Sequence, residues 1–319
     1  MLDQAIRDFS KQFEYEPVVV NAQKLKKLKK FVVCAMGGSN HATDVLKARY
    51  PHLPIIVHRD YGLPDVDNIR DYLIVACSYS GNTEEPIDAF KVAVKKGLNV
   101  VIISKGGELI DLARASGAPY IQIPDTGIQP RSATGFMFMA LLKLMANSKD
   151  LSEARGLSKI KTTKQEQEGK KIAQKLKGGV PVIYASTRNY AVANNWKIKF
   201  NENIKIPAFI NVVPELNHNE MNGFDTAKGT KKLMQGFKFV FIKDSEDDPR
   251  VIKRMVVLEK LYKARGFQVE NVILKGKNRL EKIFSSLILA DWVSLYLANA
   301  YNVDPEPVPM VEEFKKLIA

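Results

Sequence analysis

Short apolar runs alternate with amphipathic stretches along most of the chain. Phe31–Met36 (FVVCAM) is apolar and ends in Gly37-Gly38-Ser39, the pattern of a buried strand feeding a turn and a helix over about His41–Arg49. Further strands are expected at Pro54–Val57, Tyr72–Cys77, Asn99–Ser104 and Tyr120–Ile123, with helices over Glu84–Lys96, Glu108–Ser116 and Phe136–Ala146. Strands that read as unbroken apolar runs and alternate with helices predict a parallel sheet covered on both faces. From Asn147 to Gly179 the composition turns to Lys, Glu, Gln and Ser, with a helix expected over Gln165–Leu176. The pattern then restarts, with strands at Val180–Ala185, Phe237–Ile242 and Gln268–Leu274 and helices at Asn189–Asn201, Pro249–Arg265 and Leu280–Ala300. The expectation is an α/β protein of two doubly wound domains, 1–150 and 179–319, joined by a helical linker over 151–178.

Composition narrows the class. The 319 residues include 45% hydrophobic and 26% charged residues, ordinary values for a soluble globular protein. The two cysteines, Cys34 and Cys77, lie in expected strands, which fits small buried hydrophobes in a reducing, cytoplasmic compartment. No signal pattern opens the chain, and the longest apolar helices are too short or interrupted by Lys143 or Asp291 to cross a bilayer. No membrane partner is expected. The net charge is +13, with lysines clustered at Lys24–Lys30, where an amphipathic helix end is expected, and at Lys159–Lys177. No nucleic-acid-binding motif accompanies that charge, so a solvated surface or attraction of a small anion is the better reading.

The segment Ser78-Tyr79-Ser80-Gly81-Asn82-Thr83-Glu84-Glu85 follows a strand and opens a helix. Three hydroxyls and a glycine at a helix N-terminus suit an anion, since backbone N–H groups and the helix dipole point at it. Asn82 with Glu85 also resembles a capping box, which would need only one of those hydroxyls. Gly37-Gly38-Ser39-Asn40 occupies the same place after the preceding strand, and ligands of doubly wound sheets sit at strand carboxyl ends. Neither loop is a P-loop or a dinucleotide fingerprint, so a phosphate monoester is expected. In the second half, Glu202, Glu215, His218 and Glu220 stand out. A metal held by His218 and Glu220 lacks a second histidine nearby.

The loops MGGSN and SYSGNTEE resemble the sugar-isomerase (SIS) domain, of flavodoxin-like build. Asn201-Glu202-Asn203, followed by His218 in ELNHNE, resembles the bifunctional phosphoglucose/phosphomannose isomerase family. The resemblance implies two SIS-like domains and a homodimer that interconverts glucose 6-phosphate and mannose 6-phosphate with fructose 6-phosphate, with no metal or other cofactor. It implies that Ser39, Ser78, Ser80 and Thr83 hold the phosphate, and that Gly37 and Gly38 let backbone approach the sugar. Glu202 would move the proton between C2 and C1, and Arg131 would stabilise the enediolate. His218, from the neighbouring subunit, and Lys315, with Lys316 as the alternative, would open the ring. The family threonine that precedes that lysine has no counterpart between Asn302 and Ala319. The other readings are an SIS aminosugar phosphate isomerase or deaminase and a phosphosugar-sensing module.

Overall fold

The structure, a computed structural model, describes residues 2–318. It divides into two compact units, Asp8–Ile160 and a second that joins the N-terminal helix α1 (Leu2–Arg7) to the residues from Lys161 onward.

The first unit is built on β1 (Val19–Val20), β2 (Lys30–Ala35), β3 (Ile55–His58), β4 (Tyr72–Cys77), β5 (Val100–Ser104) and β6 (Tyr120–Gln122). Their order is β1-β6-β5-β4-β2-β3, parallel except for the short antiparallel edge strand β1. Five helices accompany them: α2 (Gly37–Arg49), α3 (Glu84–Lys95), α4 (Gly107–Ser116), α5 (Thr134–Met145) and α6 (Ser148–Arg155). Successive strand residues point to opposite faces. Val32, Cys34, Ile74, Ala76 and Ile102 pack under Phe90, Leu109 and Ile110 of α3 and α4. Helices α2 and α5 pack on each other, and α2 returns the chain from β2 to β3. From β2 the chain moves outward to β3, and from β4 it moves the other way through β5 to β6. The topological switch point therefore lies between β2 and β4.

The second unit has β7 (Val180–Ser186), β8 (Phe209–Val213), β9 (Phe237–Lys243) and β10 (Gln268–Ile273), in the all-parallel order β10-β9-β7-β8. Its other helices are α7 (Glu166–Leu176), α8 (Tyr190–Lys199), α9 (Pro249–Ala264), α10 (Arg279–Ala300) and α11 (Pro309–Ile318). Helix α9 covers one face through Met255, Leu258 and Tyr262, which meet Val182, Tyr184, Phe239 and Phe241. Helix α10 packs against α7 and α8. Among the described residues α10 is the one helix long and apolar enough to cross a membrane by length and composition, but 78% of its most apolar stretch is buried inside the protein.

Several expectations are corrected. Residues 2–7 belong to the second unit rather than the first. Leu2 and Ile6 are buried, Thr162 donates to the Arg7 carbonyl, and the Arg7 guanidinium lies 5.0 Å from the Trp292 ring centroid. The segment 151–178 is no single linker, because Ala154 and Leu157 anchor its start in the first unit while Ile172, Ala173 and Leu176 anchor α7 in the second. The lysine run near Lys24 is a short 3-10 turn, Ala22–Lys24, followed by extended chain. Strand β8 and helices α6 and α11 were not anticipated. FINVV carries a polar Asn211 and follows Pro207, and α11 buries no residue.

Candidate active site

The first unit gathers three segments at the carboxyl edge of its sheet, beside the switch point. Helix α2 begins at Gly37, earlier than expected, with Gly37 in the left-handed region at φ +48°. A Cβ at Gly38 would lie 3.0 Å from the Arg131 backbone nitrogen, so glycine lets these two segments approach closely without displacement. Ser39 Oγ accepts the Tyr79 backbone N–H at 2.9 Å and ties the first loop to the second.

In the second loop Ser78 Oγ is 2.7 Å from Thr83 Oγ1 and 3.4 Å from Ser80 Oγ, and accepts from the Gly81 N–H at 3.1 Å. Ser39 and Ser78 are buried, whereas Ser80 and Thr83 are half-buried. The four hydroxyls thus divide into a framework pair and a pair that solvent can reach. The capping-box expectation fails. Thr83 is the N-cap of α3 and no side chain caps it. Asn82 instead accepts the Glu108 N–H at 3.0 Å through its Oδ1, bracing the loop against α4. The first turn of α3 therefore keeps N–H groups for a ligand.

Arg131, buried, sits on the 3-10 turn Pro130–Ser132. Gln12 holds that turn by donating to the Ser132 carbonyl at 2.7 Å and accepting the Phe136 N–H at 3.2 Å. Gln12 carried no sequence signal, because its role depends on a contact 120 residues away.

The second unit holds the remaining candidates. Glu202 is half-buried in a π-helical turn, Phe200–Ile204, that prolongs α8 and ends where Lys205 turns left-handed at φ +61°. His218 is exposed at the end of the 3-10 turn Glu215–His218, which buried Leu216 anchors. Helix α8 runs back along the sheet from the carboxyl end of β7 and its end feeds the start of β8, whereas His218 follows the far end of β8. Within one chain Glu202 and His218 therefore lie toward opposite ends of β8. Glu220 is engaged elsewhere, accepting from Tyr184 Oη at 2.6 Å and from Asn211 Nδ2. Burial, then the nearby Tyr262 and Glu220, push the Tyr184 phenol far up. Among the described residues no group of three His, Cys, Asp or Glu side chains is arranged to hold a metal ion. Lys315 and Lys316 are exposed on α11.

One cluster escaped the sequence reading. At the switch point of the second sheet, between the ends of β7 and β9, Asp247 accepts from Ser186 Oγ at 2.7 Å and Asn189 Nδ2 at 3.2 Å. Beside it, Asp244 pairs with Arg279 at 2.9 Å and Lys282 at 2.8 Å. Burial pushes the Asp247 carboxyl up, while Lys282 and Arg188 hold the exposed Glu246 down at about 2.

Residues 165–318 match the model of the bacterial phospho-glucose isomerase C-terminal SIS domain. The chain is 35% identical to a bifunctional phosphoglucose/phosphomannose isomerase of Aquifex aeolicus, over 98% of this chain and 96% of the relative. It is 37% identical to one from Thermoplasma acidophilum, over 90% and 89%. In fold it is similar to the C-terminal domain of glucosamine-fructose-6-phosphate aminotransferase from Francisella tularensis, with TM-score 0.68, 15% identity and 96% of each chain covered. With a like pattern of residues along nearly its whole length, the chain belongs to the bifunctional phosphoglucose/phosphomannose isomerase family.

Proposed function

We propose that the protein interconverts glucose 6-phosphate and mannose 6-phosphate with fructose 6-phosphate through a cis-enediol(ate). The observation that carries this reading is the hydroxyl cradle at an uncapped helix start, beside the switch point and next to Arg131. Ser80 and Thr83 face the phosphate, and Ser39 and Ser78 fix the loops that present them. Gly37 and Gly38 leave room for the sugar. A phosphate held here supplies binding energy remote from the reacting carbons and keeps the sugar in register. The first unit, Asp8–Ile160, is thus the phosphate-binding half, and the second unit supplies base and ring-opening groups.

Glu202 takes the C2 proton and returns it at C1, a step to which a general base contributes about 10²- to 10⁴-fold. Negative charge gathers on the enediolate oxygens, and the guanidinium of Arg131 stabilises it more than the neutral substrate. Glucose and mannose differ at C2 alone, so one base serves both once the enediol turns about C2–C3. His218 and Lys315 open the ring. The separation of Glu202 from His218 within one chain supports a homodimer in which His218 comes from the neighbouring subunit.

The chemistry calls for no metal, and prolonged dialysis against a chelator is expected to leave turnover intact. Loss of activity that zinc restores would overturn this. Cys34 and Cys77 are free and buried, and burial pushes the Cys34 thiol up to about 12, which fits a reducing cytoplasm.

The decisive test uses Glu202→Gln. Isomerisation of both aldoses and deuterium exchange at C1 of fructose 6-phosphate are expected to vanish while phosphosugar binding persists. Exchange at the wild-type rate would remove Glu202 as the base and make Glu215 the next candidate.

A further inference from the structure

We propose that Asn203 and Lys199 are positioning residues that pin the π-helical turn carrying Glu202 to a single turn of α10. Lys199 Nζ lies 2.6 Å from Asp291 Oδ1. Asn203 Nδ2 donates to Ser294 Oγ at 2.8 Å, and Ser294 Oγ donates to the Asp291 carbonyl at 2.9 Å. The four residues form a closed circuit. Lys199 and Asn203 flank Glu202 four positions apart on one element, and Asp291 and Ser294 lie three apart on the other.

All four are buried, Asn203 and Ser294 completely. Deep burial of an ion pair is a poor way to gain stability, because desolvation offsets the attraction and an apolar pair of similar volume does as well or better. What the polar circuit adds is direction. It fixes the rotation of the turn about its axis, which interchangeable apolar contacts would not. The turn needs fixing. π-turns are rare and frequently sit at functional sites, and this one has no helical continuation, since Lys205 turns left-handed. On its other side α8 is held by Trp196, whose Nε1 donates to Ser286 at 3.1 Å, also on α10. The base thus rides on a segment tied to α10 both before and within its own turn.

This inference rests on Glu202 being the base. A base that must reach both C2 and C1 tolerates little displacement, and about 1 Å of misplacement can lower the rate about 10²-fold. Asn203→Ala and Ser294→Ala, singly and together, are assayed with fructose 6-phosphate. The expected result is kcat lower by about 10- to 100-fold with KM within about threefold, and a double variant no worse than either single, because both break one bond. In a Glu202→Asp background, where the carboxylate is already withdrawn, Ser294→Ala is expected to lower kcat by less than it does in the wild type. A structural role alone would lower the melting temperature without that dependence on Glu202.

As a second variant, Lys199→Met with Asp291→Leu replaces the ion pair by apolar side chains. It is expected to keep the melting temperature and still lose about tenfold in kcat. A folded Ser294→Ala protein with kcat within about twofold of wild type, beside an inactive Glu202→Gln, overturns the positioning role alone. Wild-type exchange in Glu202→Gln overturns the base reading and the positioning role with it.

Discussion

At the scale of single residues, charge and burial set up a pH response that belongs to the second unit. Burial alone would raise the Glu259 carboxyl. Lys243 and Lys263 at 2.5 and 2.6 Å and Asn271 at 2.8 Å outweigh it and hold the group at about 2. A carboxylate depressed in the folded state contributes stability fully present above its unfolded value, about 4.3, and lost as pH falls through the folded value. Acid unfolding between about pH 5 and 2 is therefore expected to be shallower in Glu259→Gln than in the wild type. The two are compared by far-ultraviolet dichroism along a pH titration. Glu246 titrates over the same range in both proteins, so the difference between them reports Glu259. Coincident curves would mean that the unfolded chain keeps the same contacts.

At the scale of elements, the loops that form the cradle depend on one backbone conformation. Gly81 sits at φ +80°, and a Cβ there would collide with the Gly106 carbonyl and lie 2.8 Å from Ser104 Oγ. Gly81→Ala is expected to destabilise the first unit by at least about 2 kcal/mol and to raise KM for fructose 6-phosphate. Urea unfolding and steady-state kinetics are the measurements, and unchanged values for both would mean that the loop does not shape the site. The need for Gly81 is legible in SYSGNT, as are the strands β2, β4, β5, β7 and β9, because unbroken apolar runs state their burial locally. The contact of Gly38 with Arg131 and the grip of Gln12 on the Arg131 turn were not legible, since each joins segments far apart in sequence. Strand β8 was missed because Asn211 interrupts its apolar pattern. The hydroxyls of Ser78 and Ser80 could be read as a cradle, but that Ser78 is buried and Ser80 half-buried emerges only from the folded loop. Likewise Glu202 stands apart from its neighbours only through the family resemblance, whereas the circuit through Asp291 and Ser294 needs α10 laid against α8.

At the scale of the whole molecule, the separation of Glu202 from His218 along β8 makes a two-chain site testable by mixing. In a two-fold dimer each site would take Glu202 from one chain and His218 from the other. Inactive Glu202→Gln and Ala-substituted His218 chains, unfolded together and refolded, would form hybrids that own one intact site. Roughly a quarter of wild-type activity is expected from equal mixing with random pairing. No recovery, with hybrids demonstrated by mass, would show that each chain completes its own site.

The carboxylate of Asp247 has a consequence for how the two halves respond to their surroundings. It occupies the crevice that, in the first sheet, the phosphate reading assigns to a ligand from solution. A guest that comes and goes stabilises its host by mass action, in proportion to the logarithm of its concentration. A guest that is part of the chain is present at a fixed effective concentration and is never diluted. On the phosphate reading, bound substrate would stabilise the first unit by mass action, whereas the contacts of Asp247 with Ser186 and Asn189 hold at any substrate concentration.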